Sequence, residues 1–253
     1  MRSQSVAAVF IAALTLAIPT YAQTVDEIVA KNIQAKGGAE KLKSISSVKM
    51  TGKLTSQGRD VPMVVMTKRP NLLRQEITTP QGLAVNAFDG VTAWTLAPGA
   101  DVPREITGPQ ADAARSNTEF DGPLMDYAVK GHTVELVGKE KLGSDEVYHL
   151  KLTRKNGDVE HYYLDVNTGL ELKRTAEVVA GGMKQTLESE LSDYKTVEGM
   201  MVPHTIKQSV GGMPVMQMTM EKIEFNPPID DALFKMPKSG VPAAPPKGGG
   251  VQM

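Results

Sequence analysis

The chain has 253 residues, 28 Lys and Arg against 29 Asp and Glu, a formal net charge of −1 and no cysteine. Near-neutrality gives no electrostatic footprint for nucleic acid or for an anionic membrane surface. The missing thiols exclude a disulfide scaffold, a thiol nucleophile and a zinc–thiolate centre.

The first residues read as an export signal. Arg2 is the only charge before an apolar stretch over 6–18, and Pro19 then leads to a small residue, Ala22, at the expected cut. A transmembrane anchor needs about 20 apolar residues, so 1–22 reads as a cleaved signal peptide and the destination as the periplasm. Gln23, not cysteine, follows the cut, so no lipid anchor is expected there. No later segment is apolar for long enough to span a bilayer. The domain is expected over 23–237, and the Pro/Gly-rich stretch 238–253 as a disordered tail.

The domain opens with a helix. Thr24 and Glu27 have capping-box spacing, Val25, Ile28, Val29 and Ile33 share one face, and Gly37-Gly38 ends it. A short turn over 39–42 leads to strands expected at 48–54, 61–68, 72–77, 83–88 and 93–96. Alternation stops over 108–127, where Ala111, Ala113 and Ala114 followed by Phe120, Leu124 and Met125 predict one or two short helices within a loop. An unstructured loop of that length is unusual in a compact domain, so it is expected to lie over something.

From Val147 to Met220 apolar and polar residues alternate again, the pattern of strands wet on one face and buried on the other. A three-residue loop at Asn156-Gly157-Asp158 pairs Leu152 with Tyr162, Leu150 with Leu164 and Tyr148 with Val166. Asn167-Thr168-Gly169 pairs Val166 with Leu170 and Leu164 with Leu172. Gly181-Gly182 as a two-residue turn pairs Ala180 with Met183, Ala176 with Leu187 and Leu172 with Leu191. One largely apolar face survives all three hairpins, as register demands. The fold class that follows is mainly β: an antiparallel, curved sheet with a few helices.

Ten of the 14 methionines fall on or beside these strands, whereas the chain has only five Phe and one Trp. Methionine either fills an irregular core or offers a soft surface to varied apolar guests. Candidate cavity-lining residues are Met50, Met63 and Leu96 in the first half, and Leu150, Leu164, Leu172, Leu187, Ile206, Met216, Met218 and Met220 in the second. Arg174 falls on the same face opposite Tyr162 and Ser189, either as a hydrogen-bonded arginine near the rim or as a polar anchor for a ligand headgroup. The pairing puts His149 opposite Asp165 and His161 opposite Thr153 and Thr175, on the wet face. No serine nucleophile accompanies them, and His132 and His204 complete no known set. The residues provide no catalytic constellation, so no enzyme activity, cofactor or metal is expected.

Two stretches carry a family resemblance: Thr67-Lys68-Arg69-Pro70-Asn71-Leu72-Leu73-Arg74, and Phe88-Asp89-Gly90 with Trp94 after it. Together with Tyr163-Leu164-Asp165, Thr168-Gly169 and the closing Phe234-Lys235-Met236-Pro237, they resemble the LolA-like family of periplasmic lipoprotein carriers and their outer-membrane lipoprotein-sorting relatives. The resemblance implies an unclosed, curved antiparallel β-barrel with a helical lid, binding lipoprotein acyl chains or another lipid. It also implies an inner-membrane donor complex and an outer-membrane acceptor, and makes Arg69 the lid latch. The chain is longer than the dedicated carriers and its second half is expanded. A regulatory or sensor module of the same fold, in envelope-stress signalling, is the alternative.

Overall fold

The computed structural model describes residues 23–180 and 182–238. The expected signal peptide, Gly181 of the expected turn and all but the first residue of the expected tail lie outside the described residues. Helix α1 (Val25–Ala35) is closed by the capping box, with Thr24 Oγ1 accepting from the Glu27 amide and Glu27 from the Thr24 amide. Helix α2 spans Ala39–Ser44. Then come β1 (Ser47–Ser56), β2 (Arg59–Lys68), β3 (Leu72–Thr79), β4 (Gly82–Phe88), β5 (Ala93–Leu96) and β6 (Arg104–Ile106). Helix α3 (Pro109–Asn117) stands in the segment where alternation stops. The second half holds β7 (Thr133–Leu142), β8 (Asp145–Thr153), β9 (Val159–Asp165), β10 (Glu171–Ala180), β11 (Met183–Val197), β12 (Met200–Val210) and β13 (Met213–Phe225). A short 3-10 turn, Asp231–Leu233, follows.

All thirteen strands form one curved antiparallel sheet, ordered β6-β5-β4-β3-β2-β1-β13-β12-β11-β10-β9-β8-β7. Two local meanders, β1 to β6 and β7 to β13, are joined by a single seam between β1 and β13. The sheet does not close. Its edges, β6 and β7, are consecutive in sequence, and α3 with the turns after it connects them.

Two registers differ from expectation. The first hairpin pairs Leu150 with Tyr162, Tyr148 with Leu164 and Leu152 with Glu160. Its closing bond runs from the Arg154 amide to the Asp158 carbonyl, so the loop is Lys155-Asn156-Gly157. It still has three residues but sits one position earlier, and because a slip of two preserves the face, the apolar set was unchanged. At the second hairpin Leu164 meets Glu171, and an irregularity between Glu171 and Lys173 restores the expected pairing of Arg174 with Tyr162. The third is as expected, with Ala180 opposite Met183 and Ala176 opposite Leu187.

Antiparallel partners share a face, so the pairing fixes which residues look the same way. On one face, here the inner one, Met63 lies opposite Gly52 and Met218 opposite both Leu54 and Ile206. On the same face Gln208 meets Met216 and Ser189, and Ser189 meets Arg174. Helix α1 covers this face at β8 and β9, packing Ile28 and Val29 onto Leu150, Leu152, Tyr162 and Leu164. The outer face of β2 to β5 carries Met66, Val85, Ala87, Trp94 and Leu96. The chain's last described segment straps over part of it, with Ile229 and Phe234 against Met66 and the Trp94 indole donating to the Phe234 carbonyl at 2.8 Å.

Candidate ligand-binding site

The adjacent residues Lys68 and Arg69 grip the covers of both faces. Lys68, on the outer face, donates to the Ile229 carbonyl at 2.8 Å and the Asp231 carboxylate at 2.6 Å. Arg69 donates from Nε to the Ile45 carbonyl at 2.6 Å and from Nη2 to the Leu42 carbonyl at 3.2 Å. Its two terminal nitrogens also fork onto Asp121 at 2.6 and 2.5 Å, and the guanidinium lies 4.5 Å from the Phe120 ring centroid. One planar cation thus ties the end of α2 to the segment that connects the sheet's two edges. Arg69→Lys keeps the charge but loses the fork, at an expected cost of about 1–2 kcal/mol. Amides of 118–122 should then exchange with deuterium at least several-fold faster, and unchanged exchange there would exclude this tie.

That connecting segment roofs a cavity of about 320 Å³ against the inner face. Ser116, Glu119, Gly122 and Pro123 form the roof, and Arg154, Glu160, Arg174, Ala176, Leu187, Ser189 and Gln208 form the wall. The size falls in the roughly 300–1,000 Å³ range of small-molecule sites. Arg154 is held by two carboxylates, donating to Glu160 at 2.5 Å and to Glu119 at 2.8 Å. The Tyr162 hydroxyl donates to Glu160 at 2.5 Å, and burial pushes this phenol well above its ordinary pKa. Arg174 makes only a long bond to the Tyr162 hydroxyl, 3.4 Å, and approaches Glu171 Oε1 at 3.5 Å. The nearby Glu171 carboxylate raises its pKa further, so Arg174 is charged at every working pH.

Of the apolar lining candidates, nine share the inner face, Leu172 is the unpaired residue of the irregularity between Glu171 and Lys173, and Leu96 lies on the outer face, in a cluster with Val85, Ala87 and Trp94. Leu150 and Leu164 are sealed beneath α1, Leu164 meeting the displaced Glu171 across the bulge. Met63 and Met220 are buried in a cluster with Leu54, Val65 and Ile223, against which Met50, Met216 and Met218 pack while staying partly exposed. Leu172, Leu187 and Ile206 are also partly exposed. Among these eleven only Leu187 lines the 320 Å³ cavity, whose wall is otherwise mostly polar. The methionine surface begins on the next strand, where Met216 stands opposite the cavity residue Gln208.

The expected pairing of His149 with Asp165 is incorrect. His149 stands opposite Tyr163 and stacks on its ring at 4.6 Å between centroids. Its Nδ1 donates to the Glu140 carboxylate at 2.5 Å, and its Nε2 meets His161 Nδ1 at 2.7 Å. His161 pairs with Lys151 and Thr175, not Thr153. Burial, then the neighbouring His149, lowers its pKa. Asp165 has a local task instead, accepting from the Asn167 and Thr168 amides and the Thr168 hydroxyl within the turn. His204 is buried, its Nδ1 3.1 Å from the Val202 carbonyl. Among the described residues no group of three or more His, Asp or Glu is arranged to hold a metal ion, and no helix is long and apolar enough to cross a membrane. Sequence reasoning missed Arg154 and Glu160, although Glu160 alternates in phase with the inner-face residues Tyr162 and Leu164 and stands opposite Leu152.

Neither a family model nor a curated protein sequence matches the chain. Among solved structures it is similar to a LolA superfamily protein from Nitrosomonas europaea, at 16% identity and a TM-score of 0.56, covering 85% of this chain and 98% of that one. A DUF1329 family protein from Desulfovibrio piger matches at 11% identity and a TM-score of 0.58, over 83% and 97% of the two chains. A putative outer membrane lipoprotein-sorting protein domain from Vibrio parahaemolyticus matches at 14% and 0.57, over 82% and 94%.

Proposed function

Proceeding from the LolA-like fold that these similarities show, we propose that this chain is a periplasmic carrier that shields the acyl chains of a lipid or lipoprotein on the inner face of its sheet. One observation carries the reading. The partly exposed apolar side chains Ile206, Met216 and Met218 continue, on the same face and on adjoining strands, from a cavity that ends in the sparsely bonded Arg174. That is a surface with an apolar side and a polar end, the two halves of an amphiphile.

The methionine cluster is packed on itself in the described state, so loading requires it to open. Three flexible torsions per methionine make that rearrangement cheaper than prising apart branched side chains. Each methylene moved from water onto the apolar surface contributes about 0.8 kcal/mol, so an acyl chain holds without covalent attachment. An envelope membrane supplies the acyl chain in this reading, and Arg69 holds the connecting segment over the guest. No catalytic step is assigned.

The test is to isolate the protein from the periplasmic fraction of its host, extract it and identify bound species by mass spectrometry. Titration of the delipidated protein with N-phenyl-1-naphthylamine, a neutral dye that brightens in apolar surroundings, gives the same answer in vitro. A stoichiometric acyl-containing species and saturable dye binding are expected. Lipid-free protein together with no dye binding would overturn the carrier reading.

A further inference from the structure

Four arginines on the strands and turns of this sheet are held close to other elements, and three of them have strong partners. Arg69 forks onto Asp121 and two carbonyls. Arg74, buried, donates to Glu76 at 2.6 Å and to the Leu233 carbonyl at 2.7 Å. Arg154 is shared by Glu119 and Glu160. Arg174 is the exception: its sole hydrogen bond among the described residues is the 3.4 Å contact with the Tyr162 hydroxyl, its guanidinium lies 5.5 Å from that ring's centroid, and 39% of its side chain remains accessible.

A second cation is in the same condition. Lys36, at the end of α1, keeps 32% of its side chain accessible, and its ammonium reaches only to 4.0 Å from Glu171 Oε2. Glu171 therefore lies between two cations and is hydrogen-bonded through its side chain to neither. It is itself 7% exposed along the side chain, and its Oε1 has no hydrogen-bond partner. A guanidinium and an ammonium have five and three N–H donors, so most of the donors here have no protein partner among the described residues.

The charges lining the cavity cancel, but those of the ion-pair partners beyond the lining do not. Lys130 and Arg154 are balanced by Glu119 and Glu160. Lys36 and Arg174 have Glu171 alone, which leaves one positive charge while Lys36 is protonated; burial lowers the Lys36 pKa, and a second anion beside it would favour the ammonium. An anion entering between them breaks no good hydrogen bond, whereas at Arg154 it would break two. Both cations are only partly accessible, so a guest that supplies one negative charge is favoured between them.

Building on the carrier reading, we infer that the guest is an amphiphile with a single negative charge next to its acyl chain, a carboxylate or a phosphodiester, bound by Arg174 and Lys36. The chain then runs past Gln208 onto Met216 and Met218. A neutral diacylglyceryl group offers nothing to this pair of cations.

The experiment uses the full mature chain and N-phenyl-1-naphthylamine as reporter, displaced by oleate, by oleoyl lysophosphatidylglycerol, or by the neutral monoolein. The anionic competitors should displace the dye at concentrations about tenfold or more below monoolein. In Arg174→Gln that preference should fall about tenfold, and in Lys36→Gln about threefold, with thermal unfolding recorded for each variant to score folding separately. Because the readout is a ratio of competitors on one protein, a partly destabilised variant still reports it. Whichever anionic competitor is stronger assigns the carboxylate or the phosphodiester. Equal displacement by monoolein, or a preference unchanged in both variants, overturns the inference while leaving the carrier reading intact. No dye binding at all would instead sink the carrier reading on which it rests.

Discussion

Gly52→Ala should lower the stability of this protein by about 3 kcal/mol, at the upper end of the usual cost of overpacking. Gly52 has no left-handed backbone to explain it; the constraint is space. A Cβ there would lie 2.0 Å from the Thr219 carbonyl oxygen and 2.9 Å from the Met220 Cα. Those are backbone atoms of the partner strand, so no rotamer change relieves the clash. The site is also where the register of β1 against β13 shifts, with Thr51 opposite Lys222 but Gly52 opposite Met220. This seam is all that joins the two meanders by strand pairing. For a domain of this size about 3 kcal/mol corresponds to a fall in Tm of roughly 6–12 °C. A urea or thermal unfolding curve within 2 °C of the parent would show that the seam tolerates the methyl group and that the argument is wrong.

Met218→Glu should abolish acyl binding while leaving the chain folded. Met218 lies between Leu54 and Ile206 on the inner face and is only partly buried, so the free protein can hydrate a carboxylate there. A bound acyl chain would strip that water, and an unpaired charge against hydrocarbon costs several kcal/mol. At about 1.4 kcal/mol per tenfold, the affinity for N-phenyl-1-naphthylamine should drop more than about 100-fold. Thr219→Glu, one residue along and on the other face, is the matched control and should stay within about twofold. Equal loss in both variants, or in neither, would detach ligand binding from the inner face.

Apart from β6 and β7, which were not expected, the order of strands and the apolar face were legible in the sequence because a period of two survives errors in loop placement. The β8–β9 loop sits one position from where Asn156-Gly157 suggested, yet Leu150, Tyr162 and Leu164 stayed on the inner face. Leu96 shows the limit: its face depends on a chain of pairings through β4 and β3 to β2 that short strands do not reveal. The three-residue β6 has no pattern of its own. Arg69 was legible through its motif, while its partners Leu42, Ile45 and Asp121 lie far off in sequence. The approach of Lys36 to Glu171 was not legible because nothing in a helix C-terminus announces a carboxylate on a distant strand. Glu171 in turn reached it through a bulge.

The single seam also fixes an order of events. Every other strand pair in the sheet joins neighbours in the chain, so β1 to β6 and β7 to β13 form from local contacts. The β1–β13 pairing closes nearly the whole sequence into one loop, and such contacts form slowly. Until then β1 is a bare edge of ten residues, open to pairing with another copy. Its outward positions hold Lys49 and Lys53, between Val48, Met50 and Leu54. Two ammonium groups on an otherwise sticky strand repel a second copy, and one of them ends 3.5 Å from Glu221 when the right partner arrives. The strand that completes the sheet is thus also a bare edge during folding, and it has its own protection until β13 covers it.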